Sequence, residues 1–323
     1  MAVIPWLLAS AAIGCAGTWL ARRYALRRNL LDQPGERRSH QVATPRGGGI
    51  SLVVVMLAAL GVMAVRFPAQ GLAIACAAAG LVAVALIGWI DDHRPLSPWL
   101  RLGVHGLAAV LLGLALRLQG GGMADAAVAF LAAMVLVNVW NFMDGIDGLA
   151  ASQAALVATA WALFAGQGAV FWLGLALAAG ACGFLPFNLP RARIFLGDVG
   201  SGALGYALAG LLALAAVGRA PAERLWLTLP LLPFLIDASL TLSARILRRE
   251  AWWQPHVQHA YQVWSRARRA HGPVTVAYAM ATLLACAVML WMRSFETSLI
   301  MFMYMTLLLA GGLSWRRLRA MER

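Results

Sequence analysis

Apolar residues recur along this chain in long runs that are separated by short polar segments. Each run approaches the ~20 residues that an α-helix needs to cross the hydrocarbon core of a bilayer. The pattern predicts about eleven membrane-spanning helices, near residues 3–20, 48–65, 71–90, 100–117, 124–142, 150–165, 169–187, 200–217, 225–245, 274–292 and 297–314. Because the loops are short, we expect one all-α, polytopic membrane bundle over residues 1–323. The first run lacks a preceding charged segment and a small-residue cleavage site, so we expect it to be retained.

The composition excludes an ordinary soluble domain. Hydrophobic residues make up 62% of the 323 residues and charged residues 12%, and the mean hydropathy is +0.75. A soluble domain carries roughly twice that charged fraction. The four cysteines are dispersed without metal-ligand spacing, so we expect them to act as small apolar side chains.

The positive charge predicts the topology. The net charge of +13 comes from 26 arginines, because the chain has no lysine. If the N-terminus is periplasmic, only Arg66, Arg117, Arg219, Arg224 and Arg293 fall outside, and the other 21 lie on the opposite side. Positive charge favours the cytoplasmic side, so we expect a cytoplasmic C-terminus. Anionic membrane lipids and a phosphorylated substrate are then the expected partners, and nucleic acid is not.

Polar residues that are unusual in a membrane protein gather on this predicted cytoplasmic side. They fall in five segments, which contain His40 and Arg46; Asp91 and Asp92; Asn138, Asn141, Asp144 and Asp147; Asn188, Phe195 and Asp198; and His256 and His259. Random surface polarity would populate both sides of the bundle. Segments that are separate in sequence but meet on one face are typical of an active site, and we expect one here.

The segment from Asn138 to Leu149 ends the fifth run. Helical spacing keeps Asn138, Asn141 and Asp144 near one face. The glycines that follow loosen the backbone, and we expect Asp147 to turn back toward the same pocket. The alternative is a polar helix end with a glycine-rich cap.

Three further carboxylates are candidates for metal or phosphate chemistry. Asp91 and Asp92 could hold a divalent cation with a third carboxylate, or they could form a solvated helix end with Arg94 as partner. Asp198 precedes Gly200-Ser201-Gly202 at the predicted start of a span. A carboxylate there, with free backbone N–H groups, suits a phosphate and its magnesium.

His256, His259 and Asp237 leave more than one role open. Two histidines three residues apart could bind zinc, but phosphate contacts or a surface position are alternatives. Asp237 lies about two turns inside the ninth predicted span. It is a candidate for function or for pairing with another buried group.

Together these motifs resemble the polyprenyl-phosphate N-acetylhexosamine-1-phosphate transferases, the family that includes phospho-MurNAc-pentapeptide translocase. The similarity runs from about residue 30 to residue 265. The resemblance implies Mg²⁺, with Mn²⁺ as a second candidate. It also implies transfer of a sugar-1-phosphate from a UDP-sugar to undecaprenyl phosphate, with release of UMP. We expect direct in-line attack without a phospho-enzyme.

The resemblance also implies residue roles. Asp198 would be the metal ligand, and Asp91 or Asp92 would deprotonate or position the lipid phosphate. The remaining assignments are Asn188 and Phe195 to the nucleotide, Asp144 and Asp147 to the uridine and diphosphate region, His256 and His259 to phosphate, and His40, Arg46, Asn138 and Asn141 to substrate.

The histidine motif departs from the translocase pattern of consecutive histidines. Here it is His256-Val-Gln-His259, which, with the glycine-rich stretch that follows Arg46, is similar to the O-antigen-initiating branch. We therefore expect a UDP-N-acetylated amino or deoxyamino sugar as donor in lipopolysaccharide or cell-wall synthesis. Loop 246–272 is the leading candidate for sugar specificity, and a homodimer is an open expectation.

Three other classes remain as alternatives. A membrane prenyltransferase would need paired Asp-x-x-x-Asp clusters for diphosphate. A transporter would place polar residues near mid-membrane at broken helices. A non-catalytic scaffold would tolerate loss of the carboxylates.

Overall fold

A computed structural model describes residues 1–33, 42–254, 256–291 and 295–322. The predicted substrate contact His40 therefore lies outside the described residues. The described helices are α1 Val3–Arg27, α2 Ile50–Arg66, α3 Gly71–His93, α4 Pro98–Leu118, α5 Met123–Phe142, α6 Leu149–Ala165, α7 Gly168–Asn188, α8 Asp198–Ala216, α9 Pro221–Trp226, α10 Leu232–Leu247, α11 Ala260–Arg268, α12 Gly272–Trp291 and α13 Thr297–Arg319. A short antiparallel ribbon pairs β1 Leu31–Asp32 with β2 Thr44–Pro45.

The prediction of an all-α polytopic membrane protein is confirmed. Nine segments of the described residues are long and apolar enough to cross a membrane. Helices α2 and α6 are apolar but have 17 residues each. All eleven predicted runs coincide with helical segments. The number of crossings and the sides of the two termini stay predictions.

The ninth predicted span is interrupted. Helix α9, a 3₁₀ turn at Leu229–Leu231 and helix α10 together form the apolar segment Pro221–Leu247. Pro230 lies in the turn and Pro233 in the first turn of α10. Proline has no N–H to donate inside a helix, so a continuous hydrogen-bond ladder cannot form there.

Helix α8 is the centre of the bundle. Most residues of α8 are buried, whereas in α13, at the periphery, only Ile300 and Tyr304 are buried. Small side chains allow α8 to approach its neighbours closely. A Cβ on Gly205 would lie 2.3 Å from the carbonyl oxygen of Leu136 on α5. This close packing fixes the N-terminus of α8 beside the C-terminal ends of α3 and α5, where the polar residues lie.

Candidate active site

Asp92 caps the N-terminus of α8. Its Oδ1 accepts the N–H of Asp198 at 3.1 Å, and its Oδ2 accepts the N–H of Val199 at 3.2 Å. The side chain is buried, with Arg46 Nε 4.0 Å from Oδ1. The first N–H groups of a helix have no partner within the helix, and a carboxylate there is also favoured by the helix dipole. Asp92 therefore ties the end of α3 to the start of α8.

Gly197 makes this cap possible. Its φ of 76° lies in the left-handed region, which side chains other than glycine rarely adopt. A Cβ at this position would lie 2.6 Å from Asp92 Oδ2 and 2.8 Å from the backbone nitrogen of Gly47. Glycine is thus required at position 197 by the backbone conformation and by the close approach of Asp92 and Gly47.

Asp91 and Asp198 both form an ion pair with Arg101. Nη1 of Arg101, in the first turn of α4, lies 2.9 Å from Asp91 Oδ2 and 2.9 Å from Asp198 Oδ2. Asp91 also accepts the N–H of Leu96 at 2.6 Å. The adjacent aspartates thus serve different partners, because Asp92 faces the helix end and Asp91 faces Arg101.

A cavity of about 360 Å³ opens beside these groups. It brings together six predicted site residues, namely Asn138, Asn141, Asp144, Asp198, His256 and His259. Arg101 and His105 also line it and were missed by sequence reasoning. The two residues are four positions apart on α4 and therefore lie on the same face of the helix. Two polar residues at that spacing in an otherwise apolar run are the sequence signal that could have identified them.

The two asparagines lie on one face, as their three-residue spacing predicts. The side-chain amide of Asn138 donates to the carbonyl of Met134 at 2.7 Å. That of Asn141 donates to Ser201 Oγ on α8 at 3.2 Å. These bonds hold both amides at the cavity wall.

The Asp144 carboxyl lies among like charges in the loop between α5 and α6. Burial, with the nearby charges of Asp198, Asp92 and Asp147, raises its pKa well above the usual range. A cation in this cavity would relieve that repulsion. Mg²⁺ commonly takes one or two carboxylates and completes its shell with water and substrate phosphate. Asp144 and Asp198 fit that donor set. The described residues contain no group of three or more metal-binding side chains.

Asp147 does not turn toward this cavity, so that expectation was wrong. Its Oδ2 lies 3.1 Å from Nδ1 of His271, and its carbonyl accepts the hydroxyl of Thr275 at 2.8 Å. The helix ends at Phe142, and Gly148 has a φ of 71°. Helical spacing therefore no longer applies, and Asp147 lines a second cavity of about 1030 Å³.

The second cavity is rich in arginine. Phe195 and Asp147 line it together with Arg22, Arg191, Arg193, Arg266 and Arg269. The backbone of Phe195 is fixed by bonds to Pro45 and Gly48, at 2.8 and 2.9 Å. Asp144 and Asp198 line the first cavity, whereas Asp147 and Phe195, three residues away from each in sequence, line the second, so the same two loops border both cavities.

Asn188 lines neither cavity. It is buried, with its Oδ1 accepting the N–H of Gly148 at 2.7 Å and its Nδ2 donating to the carbonyl of Ile194 at 2.9 Å. These bonds join the start of α6 to the loop before α8. Its proposed nucleotide contact stays a prediction, as does the substrate contact of Arg46, whose guanidinium lies on Asp92.

The histidine pair lies at the start of α11. The rings of His256 and His259 are 4.9 Å apart, and His259 stacks on Phe142 at 5.9 Å. Burial and then the positive charges of His259, Arg245 and Arg319 lower the pKa of His256 to about 3. Among the described residues no metal-binding group forms around the pair, so the zinc alternative gains no support.

Comparison with known proteins identifies the family. Residues 72–216 match the model described as glycosyl transferase family 4. The chain is 31% identical over 238 residues to the phospho-N-acetylmuramoyl-pentapeptide-transferase of Heliobacterium modesticaldum, covering 64% of this chain and 72% of that protein. The chain belongs to glycosyl transferase family 4.

Two further relatives match over greater lengths. The undecaprenyl-phosphate alpha-N-acetylglucosaminyl 1-phosphate transferase of Yersinia pestis is 27% identical over 295 residues, covering 82% of this chain and 79% of that protein. A probable undecaprenyl-phosphate N-acetylglucosaminyl 1-phosphate transferase of Bacillus subtilis is 26% identical over 275 residues, or 78% of this chain and 75% of that protein.

Proposed function

We propose that this protein transfers an N-acetylated hexosamine 1-phosphate, or a related deoxyamino sugar 1-phosphate, from a UDP-sugar to undecaprenyl phosphate. The products are undecaprenyl-diphosphate-sugar and UMP. The observation that carries the proposal is the cavity at one end of a membrane bundle where Asp144, Asp198 and Arg101 meet two amides and two histidines. The relatives' names, which pair a polyprenyl phosphate with an N-acetylated sugar phosphate, support it.

The reaction joins two anions. An oxygen of the lipid phosphate attacks the sugar-linked phosphorus of the donor, a new P–O bond forms, and the P–O bond to UMP breaks. Such transfer depends on alignment and on neutralisation of charge more than on covalent catalysis. Bound Mg²⁺ would supply charge neutralisation, with Asp198 and Asp144 as the side chains that hold it.

The two adjacent aspartates have separate roles in this proposal. Asp92 is occupied by the N-terminus of α8 and positions Asp198. Asp91 is held by Arg101 beside Asp198 and is the better placed of the pair to orient the lipid phosphate. Arg101 then has an anionic partner both before and after the lipid phosphate binds, since its guanidinium can bind a phosphate as well as a carboxylate.

The arginine-rich cavity is the proposed nucleotide site. Phe195 offers an aromatic face, and Arg266 and Arg269 offer positive charge to the uridine diphosphate. Because the same two loops border both cavities, a diphosphate bound beside Phe195 and Asp147 would extend toward Asp198 and Asp144. Loop 246–272 contributes to both cavities, which is why we assign sugar specificity to it.

We place the active site on the cytoplasmic face of the bacterial inner membrane and the reaction at the start of O-antigen or related envelope polysaccharide synthesis. The charge pattern of the loops supports the first assignment. The spacing of His256 and His259 and the stretch after Arg46 support the second. Polar residues gather at one end of the bundle, which is unlike a transporter site near mid-membrane.

One assay tests the function. The purified protein, Mg²⁺ and undecaprenyl phosphate are incubated with a panel of UDP-sugars, and UMP is measured. We expect UMP release that requires the lipid phosphate and is lost in Asp198→Asn, while the variant remains in the membrane. Glu223→Gln, at a half-exposed carboxylate outside the cavity, is the matched control and should retain activity. Absence of UMP with every sugar contradicts the proposal.

A further inference from the structure

Asp237 is a buried carboxylate on α10 that is 2% exposed. Its oxygens receive four donors, the N–H of Ala260 at 2.8 Å, the N–H of Tyr261 at 3.1 Å, the hydroxyl of Tyr278 at 2.6 Å and the hydroxyl of Thr241 at 3.2 Å. The two backbone donors belong to the first turn of α11. Asp237 therefore caps α11, as Asp92 caps α8.

A fifth contact leads to the cavity. Asp237 Oδ1 lies 3.6 Å from Nδ1 of His259, within ion-pair distance. His259 is 3% exposed and is the residue immediately before α11, so the capped helix and the ion pair fix the same residue. Stacking against Phe142 and Tyr261, with ring centroids 5.9 Å away in each case, restricts rotation of the ring.

We propose that Asp237 is a positioning residue that orients His259 for the transfer reaction. The carboxylate selects the form of the imidazole that carries its proton on Nδ1. It leaves Nε2 for the cavity, where an anionic phosphate would contact it. A carboxylate behind a histidine fixes the tautomer and orientation of metal-binding histidines in the same way. The inference rests on the proposed function, which supplies the phosphate.

The alternative is that Asp237 serves α11 alone. In that case a change at Asp237 acts through the stability of α11. Its fold-loss in kcat then multiplies with the fold-loss caused by a change at His259. A positioning role predicts the opposite, because a carboxylate that acts only through the imidazole has nothing to orient once the imidazole is gone. A double-mutant cycle separates the two roles.

The experiment compares Asp237→Asn, His259→Gln and the double variant. Asparagine keeps an oxygen acceptor for a backbone N–H of α11 but removes the charge. We expect Asp237→Asn to lower kcat by roughly 10- to 100-fold, the range found for carboxylates that orient histidines in metal sites. The KM for the UDP-sugar should change by less than about 3-fold. In the His259→Gln background the same change should lower kcat by less than about 2-fold.

Thr241→Val is the matched control. It removes a hydroxyl that donates to the same carboxylate oxygen without touching the imidazole. We expect its kcat to stay within about 3-fold of the wild type, and thermal unfolding in detergent checks that every variant is folded. Multiplicative losses in the double variant, or equal losses in Thr241→Val and Asp237→Asn, overturn the positioning role. A wild-type protein that releases no UMP instead contradicts the proposed function, and the positioning role with it.

Discussion

Gly197→Ala tests whether the contact between α3 and α8 holds the site. The backbone of Gly197, with φ of 76° and ψ of 168°, costs a non-glycine residue roughly 1–3 kcal/mol. The new Cβ would also lie 2.6 Å from Asp92 Oδ2, so the carboxylate must move away from the two N–H groups that it accepts. A hydrogen bond to a charged group contributes about 1.5–3 kcal/mol. Loss of one such bond and the backbone strain together give about 3 kcal/mol or more.

Thermal unfolding in detergent and UMP release measure the two consequences. For a chain of 323 residues, a loss of about 3 kcal/mol corresponds to a fall in Tm of roughly 4 °C. We expect activity to fall by at least about 10-fold, because Asp198 begins the helix that loses its cap. Gly61→Ala is the matched control, since a Cβ there meets nothing within 4 Å. If Gly197→Ala matches Gly61→Ala in both measurements, Asp92 does not organise the site as described.

Three further predictions concern single side chains. Arg101→Met should lower kcat by roughly 10-fold or more, because Asp91 and Asp198 lose their shared cation; unchanged turnover would remove Arg101 from the site. Asp147→Asn should raise the KM for the UDP-sugar more than it lowers kcat, as steady-state kinetics would show, and a pure kcat effect would contradict a nucleotide-side position. The pKa of His256 is lowered to about 3, so below about pH 6.5 the unfolded chain binds a proton that the folded chain does not, and stability falls. His256→Gln should therefore flatten the decline of Tm between about pH 6.5 and 4, and an unchanged slope would show that the imidazole does not contribute.

The sequence predicts the helices well because their signals are local. Apolar runs of membrane length, ended by glycine, proline or charged residues, coincide with helical segments. The spacing of Asn138 and Asn141 likewise predicts one face, because both lie within α5. The interruption at Pro230 also has a local signal, although the prediction of one continuous span did not use it.

The remaining features depend on contacts between distant segments. Asp92 and Asp91 are adjacent in sequence, yet one caps α8 and the other binds Arg101. Asp147 lies beyond the end of α5, where the path of the chain depends on Gly148 and its bond to Asn188. Sequence spacing predicts neither the separate partners of Asp91 and Asp92 nor the position of Asp147. Each depends on which helix ends pack against one another in the folded bundle.

Transfer of the sugar-linked phosphorus to lipid is the central claim, and isotopic labelling tests it most directly. A UDP-N-acetylhexosamine with ³²P at the sugar-linked phosphorus is incubated with the purified protein, Mg²⁺ and undecaprenyl phosphate. The lipid is then extracted. We predict that the label enters the organic phase in step with UMP release, and that it does so in Glu223→Gln but not in Asp198→Asn. Label that stays in the aqueous phase while UMP is released, or label that enters lipid equally in Asp198→Asn, would contradict the proposed transfer at this site.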